Sequence, residues 1–150
     1  MPESIVATVV GSGALGVALA WIAWRAASLE RTDPDRLVMQ LRLAQVAALL
    51  LALVAGIYFG MAIAHEDTAG TGFDIAIAVG FWVIAAVATT SEPTRALTML
   101  ALAWGCHALV DLAHGANILP ASIVPAWYVT ACAIYDVCIA GLCYLPLLRR

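Results

Sequence analysis

The chain has 150 residues, of which 64% are hydrophobic and 11% charged, and its mean hydropathy is +0.97. Soluble domains carry roughly 25% charged residues, so this composition excludes an ordinary soluble protein and predicts a single transmembrane domain over residues 1–150. The chain has no lysine, a net charge of −3 and no basic patch, which excludes retinal and pyridoxal phosphate held by a lysine and gives no support to nucleic-acid binding.

The first membrane helix is predicted over residues 4–24, because about 20 apolar residues span a ~30 Å hydrocarbon core. Its flank, Met-Pro-Glu-Ser, carries an acid and no base, so we expect a retained helix and not a signal peptide. Gly11, Gly13 and Gly16 have a G-x-G-x-x-G spacing. No βαβ unit follows them, so they predict a small-residue face for close helix packing instead of a dinucleotide site.

The second and third helices are predicted over residues 34–65 and 72–90. Asp33 is typical of an N-cap, and Pro34 suits the first helical turn. Thr71 and Asp74 have the spacing of a capping box at the start of the third helix. Asp74 is therefore interpreted as a helix cap and not as a ligand.

The fourth and fifth helices are predicted over residues 93–115 and 122–145, with Pro146 ending the fifth. Their short connection favours antiparallel neighbours. The arginines fall beside the first and third loops or at the C terminus: Arg25, Arg31, Arg36, Arg42, Arg95, Arg149 and Arg150. The positive-inside rule then predicts an all-α bundle of five transmembrane helices in the bacterial cytoplasmic membrane, with the N terminus outside and the C terminus in the cytoplasm.

Ionisable residues interrupt the last two apolar runs. On the fourth helix, His107, Asp111 and His114 follow an i, i+4, i+7 spacing that places them on one face. On the fifth helix, Cys132 and Asp136 are four residues apart and also share a face. Such groups cost at least ~2.5–3.5 kcal/mol in lipid, so we expect all of them to face the interior of the bundle.

These residues have the chemistry of a metal site. No arginine is predicted at their depth, so Asp111 and Asp136 must be protonated, hydrogen-bonded to histidine or bound to a cation. Nitrogen, carboxylate and thiolate ligands together suit Zn, Fe or Cu, and we predict a metal site at His107, Asp111, His114, Cys132 and Asp136. Asp111 is also the candidate catalytic base. A proton or ion relay, a haem or other ligand pocket, and a purely structural cluster are the alternatives.

The same pattern resembles the C-terminal half of a family of small bacterial and fungal membrane proteins of uncharacterised function. The matching residues are His107, Asp111, His114, Ile118, Leu119, Pro120, Cys132, Ala133, Ile134, Tyr135, Asp136, Ile139 and Ala140. Val110 and Gly115 stand where that family has a tryptophan and a second histidine. The resemblance implies that the His/Asp/Cys/Asp set recurs as a unit, and it implies no activity.

Three functions remain open from the sequence. The protein is a membrane-embedded metal-dependent enzyme, a component that translocates protons or metal ions, or a non-catalytic accessory or scaffold subunit. The protein is predicted to be embedded in the lipid bilayer. A homo-oligomer through the Gly11, Gly13 and Gly16 face, or a partner in a membrane complex, fits the third function best.

Overall fold

The computed structural model of the protein describes residues 3–64, 70–119 and 126–148. These residues form five helices: α1 (Glu3–Ser28), α2 (Pro34–Ala64), α3 (Thr71–Thr89), α4 (Pro93–Gly115) and α5 (Ala126–Leu148). Each contains a segment that is long and apolar enough to cross a membrane, as the hydropathy predicts. His65, Pro120, Arg149, Arg150 and the predicted start of the fifth helix at residue 122 lie outside the described residues.

Side chains cap two of the helix starts. Asp33 Oδ1 accepts a backbone hydrogen bond at the start of α2, over 2.9 Å. At the start of α4, the Glu92 carboxylate accepts the N–H groups of Thr94 and Arg95, both over 3.1 Å. These N–H groups have no partner within their own helix, so the caps fix where each helix begins.

The start of α3 differs from the prediction. Its N-cap is Gly70, which has a φ of 95°, and no side chain caps the helix. Asp74 instead donates its backbone N–H to the Gly70 carbonyl, while neither of its carboxylate oxygens has a hydrogen-bond partner. Glycine tolerates this left-handed conformation, so the backbone makes the turn without a side chain. The interpretation of Asp74 as a cap was wrong.

Two helices end later than predicted. α1 continues through Arg25 to Ser28, whose hydroxyl donates to the Arg25 carbonyl. α5 continues past Pro146 to Leu148. A proline this close to a helix end removes a single N–H hydrogen bond, and its carbonyl accepts a hydrogen bond from Arg36 Nη2 over 3.1 Å, which ties the end of α5 to the start of α2.

The helix packing places α4 and α5 side by side in antiparallel orientation, as predicted. Near one end Gly115 faces Val129, and near the middle His107 faces Asp136. α2 packs mainly on α3, while α1 lies against α2 and α5. The buried residues between the helices are mostly alanine and leucine, whose small or apolar side chains permit close approach.

The outer surface of the bundle is apolar. Every helix exposes more than half of the side chain of at least one large apolar residue: Val17, Leu49, Val83, Leu102, Leu109 and Ile134 are examples. Soluble proteins rarely expose apolar surface on this scale, whereas lipid tails solvate it at no cost. The five apolar helices and this apolar surface are consistent with a multi-pass membrane protein.

The three glycines of α1 do not form the close-packed face that their spacing predicts within the chain. Among the described residues, a methyl group added at Gly11 or Gly13 would meet no neighbouring atom within 4 Å, and at Gly16 it would meet the Tyr135 ring at an ordinary 3.6 Å. Of these three glycines, Gly16 is thus the one that faces a neighbouring helix, α5, in the described part of the chain.

Candidate metal centre

Three of the predicted ligands converge between α4 and α5. His107 and Asp111 lie on successive turns of α4, and Asp136 projects from the neighbouring α5. Each is at most 2% exposed. One ligand atom from each residue lies within 4.8 Å of the other two, which is close enough for all three to hold one metal ion.

The distances within this group suit metal coordination. His107 Nδ1 lies 2.7 Å from Asp136 Oδ2 and 3.8 Å from Asp111 Oδ2. Two atoms that bind one tetrahedral Zn²⁺ at ~2.0–2.2 Å lie roughly 3.3–3.6 Å apart. The two separations from His107 bracket that spacing, and the Asp111 and Asp136 oxygens lie within 4.8 Å of each other, so shifts of roughly 1 Å would bring the three atoms to coordination geometry.

The two oxygens of Asp111 have different surroundings. Oδ1 accepts a hydrogen bond from the Tyr58 hydroxyl, whereas Oδ2 is buried without a hydrogen-bond partner. Leaving a buried carboxylate oxygen unpaired is costly, and a cation beside it removes the cost. His107 is the one basic side chain that pairs with Asp111 or Asp136 among the described residues, because the described arginines lie near the helix ends.

Tyr58 on α2 is a site residue that the sequence analysis missed. Its side chain is 5% exposed. Its ring meets the His107 ring edge-on at 5.5 Å and stacks on the His114 ring at 5.9 Å. The sequence feature that could have identified it is a tyrosine in the middle of an apolar helix, where the phenol hydroxyl needs a hydrogen-bond partner.

His114 lies apart from the three-residue group. Its Nε2 is 3.3 Å from Asp74 Oδ1 on α3, and neither side chain makes a hydrogen bond to another group in the part of the chain described here. His114 lies about 10.5 Å beyond His107 along α4 and is not among the residues whose ligand atoms converge, so its role as a ligand stays a prediction. Asp74 is the second residue that the sequence analysis missed as part of this site.

A small cavity lies between the two polar groups. It is bordered by Tyr58, Asp74, His107 and His114, and its volume is about 10 Å³. That volume holds about one water molecule. Haem pockets and other ligand pockets run to roughly 300–1,000 Å³, so this space does not fit the haem alternative.

Cys132 is close to the group without belonging to it. The side chain is half-buried, lies beside Tyr128 and interacts electrostatically with Asp111. One turn along α5 from Asp136, it lies towards the end of the bundle that holds His114. Its role as a ligand stays a prediction.

An apolar and aromatic shell surrounds the imidazole of His107. The Phe81 ring lies 4.8 Å away and the Trp104 ring 6.2 Å away. Trp104 is fully buried in the hydrophobic core, as expected for a packing residue. This shell lowers the local dielectric constant and so strengthens the electrostatic interactions of His107 with the two aspartates.

No protein-family profile, curated protein or solved structure matches this chain. The resemblance of residues 104–140 to the family of small bacterial and fungal membrane proteins therefore stays a prediction. The assignment of the site rests on the geometry of its own residues.

Proposed function

We propose that this protein is an integral membrane metal-binding protein that holds one transition-metal ion, Zn, Fe or Cu, between His107, Asp111 and Asp136. The observation that supports it is the approach of one imidazole nitrogen and two carboxylates to within 4.8 Å inside an apolar bundle. Mixed nitrogen and oxygen ligands favour these metals over Mg²⁺ and Ca²⁺, which take oxygen ligands.

The charges of the three site residues favour a bound cation at this position. If the imidazole of His107 is neutral, the two ionised carboxylates of Asp111 and Asp136 repel each other in a low-dielectric environment. A protonated His107 neutralises only one of them. A divalent ion neutralises both and leaves His107 neutral, which is the form in which histidine binds metals.

The proposed chemistry follows from the number of ligands. His107, Asp111 and Asp136 would hold the ion, and three protein ligands would leave a coordination position for water or substrate. The ion would supply Lewis-acid activation of water or of a substrate oxygen. The Tyr58 hydroxyl donates a hydrogen bond to Asp111 Oδ1. This bond orients the carboxylate and leaves Oδ2 available to bind the ion or a proton. Asp111 is thus ligand or general base, and the cavity beside Tyr58 has room for about one water.

We further propose that the site lies nearer the outer face of the bacterial cytoplasmic membrane. This rests on the positive-inside rule applied to the loops. The arginines flank the ends where α1, α3 and α5 finish and where α2 and α4 begin. His107 lies about 21 Å along α4 from that end, beyond the middle of a ~30 Å core.

Proton passage is the second candidate function. It is favoured by the hydroxyl of Tyr58, which donates to Asp111 while the phenol ring stacks on His114. Polar groups thus extend from Asp136 on α5 to Asp74 on α3. Between His107 and His114 they cover only about 10.5 Å of the helix axis, a fraction of a ~30 Å core, which suits storage of a proton better than passage through the membrane.

Elemental analysis of purified protein tests the metal assignment. After expression with Zn, Fe and Cu supplied, we expect about one ion per chain, and none in His107→Ala or Asp136→Ala, since each removes one of only three ligands. Cys138→Ala is the matched control, because Cys138 is exposed and points about 160° away from the Asp136 face. Folded wild-type protein without metal would exclude this function and leave proton storage or a structural cluster.

A further inference from the structure

A second, larger cavity lies at the end of the bundle where α2 and α4 begin and α5 ends. We call it the arginine cleft. Its volume is about 1010 Å³, and its polar lining consists of Arg31, Arg36, Gln40, Thr94, Thr98 and Tyr144. It is separate from the candidate metal centre, with which it shares no lining residue.

The polar side of the arginine cleft carries positive charge. Arg31 and Arg36 both line it, and no aspartate or glutamate of the described segments does. Arg36 is half-buried and held in place by its hydrogen bond to the Pro146 carbonyl, while Arg31 is exposed. The guanidinium groups of arginines present paired N–H donors that match phosphate oxygens.

Gln40 shows that the cleft extends into the bundle. Its side chain is only 5% exposed, although it lies on the apolar α2 and its amide carries two donors and one acceptor oxygen. A buried amide in a membrane helix needs hydrogen-bond partners. Because Gln40 lines the cleft, a polar headgroup bound there would supply such partners.

The remaining lining is apolar and continues onto the lipid-facing surface. Leu37 and Leu148 line the cleft, and each exposes more than half of its side chain. A ligand that is complementary to both the basic and the apolar side of the cleft is anionic at one end and apolar at the other. The volume is at the upper limit of the roughly 300–1,000 Å³ range of small-molecule pockets, far more than a lone phosphate fills.

We propose that the arginine cleft binds one acidic phospholipid, with its phosphate on Arg31, Arg36 and Gln40 and an acyl chain along Leu37 and Leu148. Basic pockets between membrane helices at the headgroup level have the chemistry to select such lipids. This binding is independent of the proposed metal function.

The test is lipid retention, measured by native mass spectrometry of the full chain in detergent micelles. With phosphatidylglycerol and phosphatidylcholine at equal concentration, we expect one phosphatidylglycerol per chain to be retained in preference. Arg31→Gln weakens this binding about fivefold, which corresponds to ~1 kcal/mol per arginine, and Arg31→Lys retains most of it. Arg25→Gln is the control, because it removes the same charge from the exposed end of α1 outside the cleft.

Three results would overturn the proposal. They are equal retention of the two lipids, equal losses in Arg31→Gln and Arg25→Gln, and displacement of phosphatidylglycerol by inorganic phosphate at the same concentration. The last result identifies a soluble phosphate compound as the ligand. Arg31 is exposed, so its substitution leaves the packing of the bundle intact, and Arg31→Glu provides a second variant in which we expect no retained phosphatidylglycerol.

Discussion

His107 and Asp136 face each other across the α4–α5 interface, with Nδ1 of the imidazole 2.7 Å from Oδ2 of the carboxylate, although 29 residues separate them in the chain. Both side chains are at least 98% buried. Both groups are shielded from bulk solvent, so this contact couples the stability of the bundle to the ligands of the candidate metal centre.

Breaking the His107–Asp136 pair should destabilise the bundle strongly. We expect His107→Ala and Asp136→Ala each to cost roughly 3–5 kcal/mol, because each leaves a buried polar partner uncompensated. The double variant should fall short of the sum by about 0.5–3 kcal/mol. Unfolding in mixed detergent and SDS micelles, with a chelator present, measures all three. Additive losses would mean that the two groups do not interact.

Removing the Tyr58 hydroxyl tests the support of Asp111. Tyr58→Phe keeps the ring contacts with His107 and His114 but leaves a second Asp111 oxygen without a donor, which should cost about 1–3 kcal/mol. Tyr135→Phe is the matched control, because the half-buried Tyr135 contacts Gly16 through its ring. The stabilities of both variants are measured by unfolding in mixed detergent and SDS micelles with a chelator present. Equal stabilities of the two variants would argue against a structural role for the Tyr58 hydroxyl.

Metal content also separates the three-residue group from the larger ligand set that the sequence predicts. Asp111→Asn should lose the ion, because an amide is a much weaker ligand for these metals than a carboxylate. His114→Ala and Cys132→Ala should keep about one ion per chain, since neither residue belongs to the three-residue group. Loss of the ion from His114→Ala would instead support the ligand set predicted from the sequence.

The orientation in the membrane follows from the arginines. Reporter fusions after Asp33 and Arg150 should report the cytoplasm, and a fusion after Gly70 should report the periplasm, because basic loops are retained inside. Alkaline phosphatase and green fluorescent protein fusions give opposite signals and control for expression. The reverse pattern would place the candidate metal centre nearer the cytoplasm.

The cap of α4 should make stability depend on pH. The Thr94 N–H holds the pKa of the Glu92 carboxyl below its ordinary value of 4.5, with the Arg95 N–H also contributing. A lowered pKa means that the cap stabilises the fold above about pH 4.5 and that this contribution disappears as the pH falls further. Glu92→Ala should cost about 0.5–2 kcal/mol at neutral pH and less in acid.

Glu30→Ala is the control for this experiment, because Glu30 is exposed in the loop before α2. Unfolding midpoints of wild type and both variants at pH 7 and pH 3.5 provide the comparison. A Glu92→Ala penalty of the same size at both values would mean that the carboxylate charge does not contribute to the cap.

Part of the candidate site was predictable because helical periodicity is local. The spacing of His107 and Asp111 placed them on one face of α4, and the short fourth loop placed α5 beside it. The cost of an ionisable group in lipid predicted that Asp136 would turn towards them, and it does. All of these inferences concern residues within one helix or on two helices that follow each other in the chain.

The sequence by itself determined the five membrane helices and the polar face of α4, because composition and spacing along one helix depend only on neighbouring residues. Only the tertiary structure decided that Tyr58 donates to Asp111 and that Asp74 faces His114 instead of capping α3. Those contacts depend on the rotation of α2 and α3 about their own axes. Packing of the whole bundle sets that rotation, and apolar sequences that are hydrophobic all round carry almost no signal for it.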